Sequence, residues 1–111
     1  MNIQIFGTRN CQDTRKAERY FKERRISFQF IDLKEKGYSP KELDSVARPI
    51  GYENLLDRDS KRFKEKGLAF MSPSRIPQVL LDDPLLVKTP VVRNGAQATL
   101  GYQPDVWKTW T

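Results

Sequence analysis

The first 33 residues constrain the chain most. Ile3 and Ile5 alternate with Gln4 in a short strand pattern from Asn2 to Phe6, which runs into Gly7 and the polar turn Thr8-Arg9-Asn10-Cys11. An amphipathic helix follows from about Gln12 to Arg25, with Ala17, Tyr20, Phe21 and Arg24 on one face and Glu18 and Lys22 placed as a favourable pair four apart. Ser27 to Leu33, SFQFIDL, is then rich in aromatic and branched residues and reads as a second strand. A strand, a helix and a strand in so short a span close as a right-handed parallel crossover, which commits the chain to an α/β architecture.

Beyond this unit the period stays helical and then changes. Ser39-Pro40-Lys41-Glu42 has an N-cap serine, proline at the first helical position and glutamate three residues after the cap, so a helix starts there and buries Leu43, Val46, Ala47 and Ile50. Asn54 to Lys66 reads as another helix or two short turns, with Leu55, Leu56 and Phe63 inward and Gly67 as the stop. Ser72-Pro73-Ser74 opens a further helical stretch that Asp83-Pro84 ends. Val91 and Val92 lead into Asn94-Gly95, a two-residue hairpin signal, and Ala96 to Tyr102 forms the return. Pro104-Asp105 starts a short last helix that includes Trp107 and Trp110. The order implies one mixed sheet, a parallel unit joined to an antiparallel hairpin. With 111 residues, no repeat and no low-complexity linker, the expectation is one domain over 1–111. Its sheet core comprises 1–33 and 84–111, and 39–83 is a helical insertion.

Composition narrows the chemistry. The chain has no histidine and one cysteine, which excludes a Ser-His or Cys-His pair, an internal disulfide, a C-x-x-C redox pair and a cysteine-histidine metal cage. No metal site is therefore expected. The apolar runs are only a few residues long and MNIQIFG lacks the order of a signal peptide, so the expectation is a cytoplasmic protein that does not enter a membrane. A formal charge of +6 favours anionic partners, although solvated helix faces explain much of it equally well. Nucleic acid is not an expected partner, since no recognised binding motif accompanies the charge.

Cys11 stands where the first strand hands over to a helix, the place where ligands meet an open α/β sheet. Unpaired N–H groups at the helix start favour a thiolate there, with Arg9, Arg15 and Lys16 adding charge and the Thr14 hydroxyl able to donate. The plain alternative is a small buried hydrophobe. Thr89-Pro90 precedes the Val91-Val92 strand. If that bond is cis it leaves the Thr89 backbone free to pair with an extended peptide such as glutathione, but trans is the default because only about 5% of X-Pro bonds are cis.

GTRNCQDTRKAERYF, SFQFIDL, the spacing to LLDRDSKRFKEKGL and the late DDPLLVKTPVVRNGAQATLGYQPD together resemble the ArsC/Spx/YffB family of arsenate-reductase-like proteins over nearly the whole chain. The resemblance implies a thioredoxin-like fold. It also implies that Cys11 is the redox cysteine, that Thr14 and Arg15 fall on the C-x-x-[ST]-R turn, and that Thr89-Pro90 occupies the family's cis-proline position. Arsenate reductases of this type use three arginines around the thiolate, and alignment of the blocks puts Asp57, Thr89 and Gln103 at or near those places. Arg58, Lys88 and Arg93 are the nearest substitutes, of which Arg58 and Arg93 are taken as anion-stabilising candidates. Efficient arsenate reduction is not expected from such a set, and the pattern resembles the YffB-like branch.

The resulting expectation is a glutathione- or glutaredoxin-linked thiol oxidoreductase with no bound cofactor. Cys11 is the nucleophile, Thr14, Arg15, Arg58 and Arg93 stabilise the thiolate or an anion, Thr89 and Pro90 hold the thiol substrate, and glutathione is the co-substrate with glutaredoxin a further candidate. The competing reading is a non-enzymatic protein-binding regulator, as Spx-like relatives are, using the basic face of Arg15, Arg19 and Lys22 and exposed Trp107 and Trp110. Spx-like proteins carry C-x-x-C, whereas Thr14 stands at the second position here, so an internal disulfide switch is excluded.

Overall fold

The computed structural model describes residues 1–110. β1 (Ile3–Gly7), α1 (Gln12–Glu23) and β2 (Phe28–Asp32) form the parallel crossover unit, with register from Ile3 opposite Phe28 to Gly7 opposite Asp32. Next come α2 (Pro40–Ile50), α3 (Tyr52–Leu55), α4 (Lys61–Glu65) and α5 (Ile76–Asp82), with 3-10 turns at Pro73–Arg75 and Pro84–Leu86. β3 (Val91–Asn94), β4 (Gln97–Leu100) and α6 (Pro104–Trp107) complete the order. The sheet runs β2-β1-β3-β4, and β3 is antiparallel to both β1 and β4. The result is the mixed α/β sheet that the pattern implies.

Strand alternation gives the sheet two apolar faces. On one, Ile3, Ile5 and Val92 are buried with Ala17, Tyr20 and Phe21 of α1 and Trp107 of α6. The Trp107 indole N–H donates to Thr99 Oγ1 at 2.8 Å, and its ring centroid lies 5.1 Å from those of Tyr20 and Phe21. This corrects the expectation of an exposed Trp107: α6 crosses back over α1, and its largest apolar side chain fills the space between them. Trp110 is partly buried against the same cluster. On the opposite face, Phe6, Ile31 and Val91 pack with Leu43, Val46, Leu55, Phe63 and Leu80 from α2 to α5.

Local signals account for the insertion. Ser39 Oγ accepts from the Glu42 N–H at 3.1 Å while the Ser39 N–H donates to Glu42 Oε1 at 2.9 Å, a closed capping box. The stretch Asn54 to Lys66 resolves into two short turns because Leu55 to Asp57 leaves the helix to pair with Leu86 to Lys88. Lys88 N–H donates to Leu55 O at 2.7 Å and Asp57 N–H to Leu86 O at 2.8 Å. That ladder fixes the segment leading to Thr89.

Ion pairs also differ from expectation. Glu18 and Lys22 do not close, and among the described residues none of the ion pairs involves α1. The best-formed contact joins α4 to the end of α5. Asp83, whose side chain is 8% exposed, lies 2.6 Å from both Arg62 Nε and Lys66 Nζ. Burial pushes this carboxyl up, but hydrogen bonds from Arg62 and Lys66 outweigh it and hold it below the usual carboxylate value. A carboxylate depressed in the folded state stabilises above its unfolded pKa, and the stabilisation is lost as pH falls through the folded value. Both cations are half exposed, so Asp83→Asn should cost about 1–2 kcal/mol at neutral pH. In urea denaturation the gap between variant and wild type should close as pH drops below about 4.

Candidate functional site

β1 ends at Gly7, and the chain must turn within three residues to begin α1. Cys11 N–H donates to Thr8 O at 3.1 Å, which closes that turn, and Cys11 is the N-cap residue of α1 with φ −86° and ψ 121°. Its carbonyl accepts the first helical hydrogen bond, from Arg15 N–H at 3.2 Å. One turn into the helix, Thr14 is fully buried against Gly7. A Cβ at position 7 would lie 2.5 Å from Thr14 Oγ1 and 2.7 Å from its methyl carbon, so the glycine is what admits the threonine.

The sulfur of Cys11 is half-buried and lies 3.8 Å from Thr89 O. The Thr89-Pro90 bond is cis, the less common of the two states left open by the sequence. Among the described residues the Thr89 N–H makes no hydrogen bond, so its donor is available. Burial pushes the Cys11 thiol up. The Thr14 and Thr89 side chains and the backbone N–H groups of Thr14 and Asp13 favour the ionised form from nearby, although none closes a hydrogen bond to the sulfur, and together they outweigh that cost and hold its pKa below the ordinary thiol value. Thr14 Oγ1 is buried without any hydrogen-bond partner, which leaves its hydroxyl free to donate to the sulfur once Cys11 ionises.

The neighbouring cations are turned to other tasks. Arg15 Nη1 donates to Arg9 O at 2.7 Å and braces the turn, the Arg9 guanidinium sits 4.5 Å over the Phe30 ring, and Lys16 Nζ lies 5.8 Å from the Tyr102 ring. The lowered thiol pKa therefore owes to the hydroxyls and N–H groups around the helix start, and Arg15 acts on the shape of the turn.

A cleft of about 260 Å³ opens beside the thiol, between the Thr8-Asn10 turn, Thr89 and the insertion. Lys34, Asp57 and Arg62 supply its charge, and Leu85 and Val87 its apolar wall. Of the sequence candidates Thr89 alone lines it; Cys11, Thr14, Arg15 and Pro90 do not, and Arg58 and Arg93 lie apart from it. Arg58 is exposed, with its guanidinium 6.0 Å from the Phe63 ring, whereas Arg62, on the first turn of α4, faces the cleft from its clamp on Asp83. Arg93 points elsewhere altogether: Nη1 donates to Gln4 Oε1 and Nε to Gly95 O, each at 3.2 Å. Because β3 runs antiparallel to β1, each step beyond Thr89 moves away from Cys11 by about 3.4 Å, and Arg93 pairs with Gln4 near the start of β1. Lys88 is exposed, and Gln103 Nε2 donates to Leu100 O at 3.0 Å. Lys34 and Arg62 were not singled out by sequence. The signal for Arg62 was its place just after the Ser60 cap; its partner Asp83, 21 residues away, was not readable.

Comparison with known proteins agrees with this architecture. The ArsC family profile matches residues 6–110. Global transcriptional regulator Spx 2 of Oceanobacillus iheyensis is 26% identical over 109 residues, covering 95% of this chain and 80% of that protein. Among solved structures, a YffB protein superimposes with a TM-score of 0.83 at 23% identity, covering 96% of both chains. An arsenate reductase from Vibrio cholerae gives 0.82 at 22% identity, covering 96% of this chain and 94% of the other. The thioredoxin-like fold of these relatives is thus also the fold of this chain.

Two outcomes follow from the thiol's surroundings. In an alkylation-rate series against pH, the Cys11 midpoint should fall below that of a free thiol. Thr14→Val should move it up, and Arg15→Ala should leave it nearly unchanged. Gly7→Ala should destabilise by about 1–3 kcal/mol through overpacking, with much of the loss recovered in the Gly7→Ala/Thr14→Ala double variant, as read by chemical denaturation.

Proposed function

This chain belongs to the ArsC family, and from that premise we propose that it is a glutathione-linked thiol oxidoreductase using Cys11 as its single nucleophile. The observation that carries the reading is the sulfur itself: half-exposed, at the N-cap of α1, and held toward thiolate by Thr14 and the helix N–H groups. The step that suits one cysteine is exchange. The Cys11 thiolate attacks the glutathione sulfur of a mixed disulfide, a Cys11–glutathione disulfide forms, and the substrate thiolate leaves and takes a proton from water. A second glutathione thiolate then attacks the glutathione sulfur bound to Cys11. Glutathione disulfide is released and the Cys11 thiolate is restored, with two electrons passing from glutathione to the substrate.

The cleft supports this assignment. The unpaired Thr89 N–H and its carbonyl offer a donor and an acceptor to the backbone of an extended tripeptide, and Lys34 offers a cation to one of its carboxylates. A single free thiol also fits the reducing cytoplasm, where glutathione or glutaredoxin acts as the external thiol. The reading does not extend to arsenate. Asp57 places a carboxylate in the cleft, Arg62 is committed to Asp83, and Arg93 lies at the other end of the sheet. An oxyanion held there would lack donors whose loss costs several kcal/mol.

A coupled assay with glutathione, glutathione reductase and a small mixed disulfide tests the reading. Wild type should turn over, and Cys11→Ser should fall to background. Absence of turnover by wild type, together with a biological effect that survives Cys11→Ser, would instead favour a non-enzymatic protein-binding regulator; the Oceanobacillus relative is named a global transcriptional regulator.

A further inference from the structure

Two exposed cations of α1 are left without an internal partner: Arg15 is tied to the Arg9 carbonyl and Lys16 lies over the Tyr102 ring, but Arg19 and Lys22 have no partner among the described residues. Arg15, Lys16, Arg19 and Lys22 lie on its exposed side, and among the described residues none forms an ion pair, although Glu18 and Glu23 stand within reach of the same helix face. A groove of about 400 Å³ runs along this side, lined by Arg9, Arg15, Glu18, Arg19 and Lys22. It begins at the turn that carries Cys11, because Arg15 is tied to the Arg9 carbonyl at 2.7 Å. Four cations against one carboxylate give the groove a strong positive bias.

We propose that this groove docks the acidic flank of a protein whose mixed disulfide Cys11 attacks. The inference rests on the oxidoreductase reading and names its substrate class: glutathionylated proteins with carboxylates beside the reactive sulfur. Geometry supports it in two ways. The cleft at Thr89 takes Thr8 and Asn10 of the turn and the groove takes Arg9, with no residue shared, so a glutathione moiety in the first leaves the second, along α1, to the body of a macromolecular substrate. Arg15, Arg19 and Lys22 recur at i, i+4 and i+7, a span of about 10 Å that carboxylates on one face of a short helix can match. Glu18 and Glu23, interleaved among these cations, oppose a continuous phosphate backbone but tolerate a protein surface carrying both signs.

The test uses two synthetic cysteine peptides, each joined to glutathione by a disulfide, one flanked by glutamates and one by lysines. At low salt, wild type should reduce the acidic peptide with a kcat/KM about tenfold or more above the basic one, and the ratio should shrink toward one at high salt. Arg19→Glu/Lys22→Glu should abolish or reverse the preference while turning over the small mixed disulfide at the wild-type rate. A parallel arm measures anisotropy of the fluorescein-labelled acidic peptide, with serine in place of its cysteine, on Cys11→Ser. Salt-sensitive binding that the double charge reversal removes is the expected result. Binding without turnover in any assay would keep the docking surface and remove the oxidoreductase reading beneath it. Turnover with equal rates for the two peptides, or a short DNA duplex bound more tightly than the acidic peptide, would overturn the proposal.

Discussion

Thr14 sits on Gly7 at a distance that no β-carbon would tolerate, and the placing of the thiol depends on that contact. It brings the first turn of α1 down onto the end of β1, buries a hydroxyl next to the sulfur, and leaves Cys11 as the residue between strand and helix. Backbone N–H groups that a helix leaves unpaired at its start then lie near a sulfur, although none closes a hydrogen bond to it. An α/β chain without histidine has few ways to lower a thiol pKa. Here the helix start and one threonine provide it, and the arginines hold the shape of the turn around them.

The rest of the fold brings a second surface up to that sulfur. The Leu55–Asp57 and Leu86–Lys88 ladder ties the helical insertion to the segment before Pro90, so the insertion sets where Thr89 meets Cys11. Asp83 then draws Arg62 to the rim of the resulting cleft while neutralising much of its charge. These two devices give a cleft with a free backbone donor and modest positive charge, better suited to a zwitterionic peptide thiol than to a bare oxyanion.

What was legible in the sequence followed from local periodicity and caps. The β1-α1-β2 unit, the Ser39 capping box, the Asn94-Gly95 hairpin and the position of Cys11 each rest on residues close together in the chain, where one pattern decides one structure. Arg93, Arg58 and Trp107 were misplaced because their surroundings depend on register, helix phase and packing between distant elements. From the sequence, Arg93 reads as able to reach inward from the hairpin, but only the antiparallel pairing with β1 shows that it travels away from the thiol. Arg58 precedes the Ser60 cap and Arg62 follows it on α4, and that cap determines which guanidinium reaches the cleft. Trp107 looked exposed at the end of a polar chain, and it is buried because α6 returns across α1.

Activation of Cys11 rests on the helix start and the neighbouring threonine hydroxyls, which salt screens weakly, and not on exposed arginines, which salt screens strongly. Titration of the Cys11 thiolate by its ultraviolet absorbance, at low and at high ionic strength, separates the two. The midpoint should lie below that of an ordinary thiol and stay in place as salt is raised. A midpoint at the ordinary value, or one that climbs as salt is added, would contradict the account.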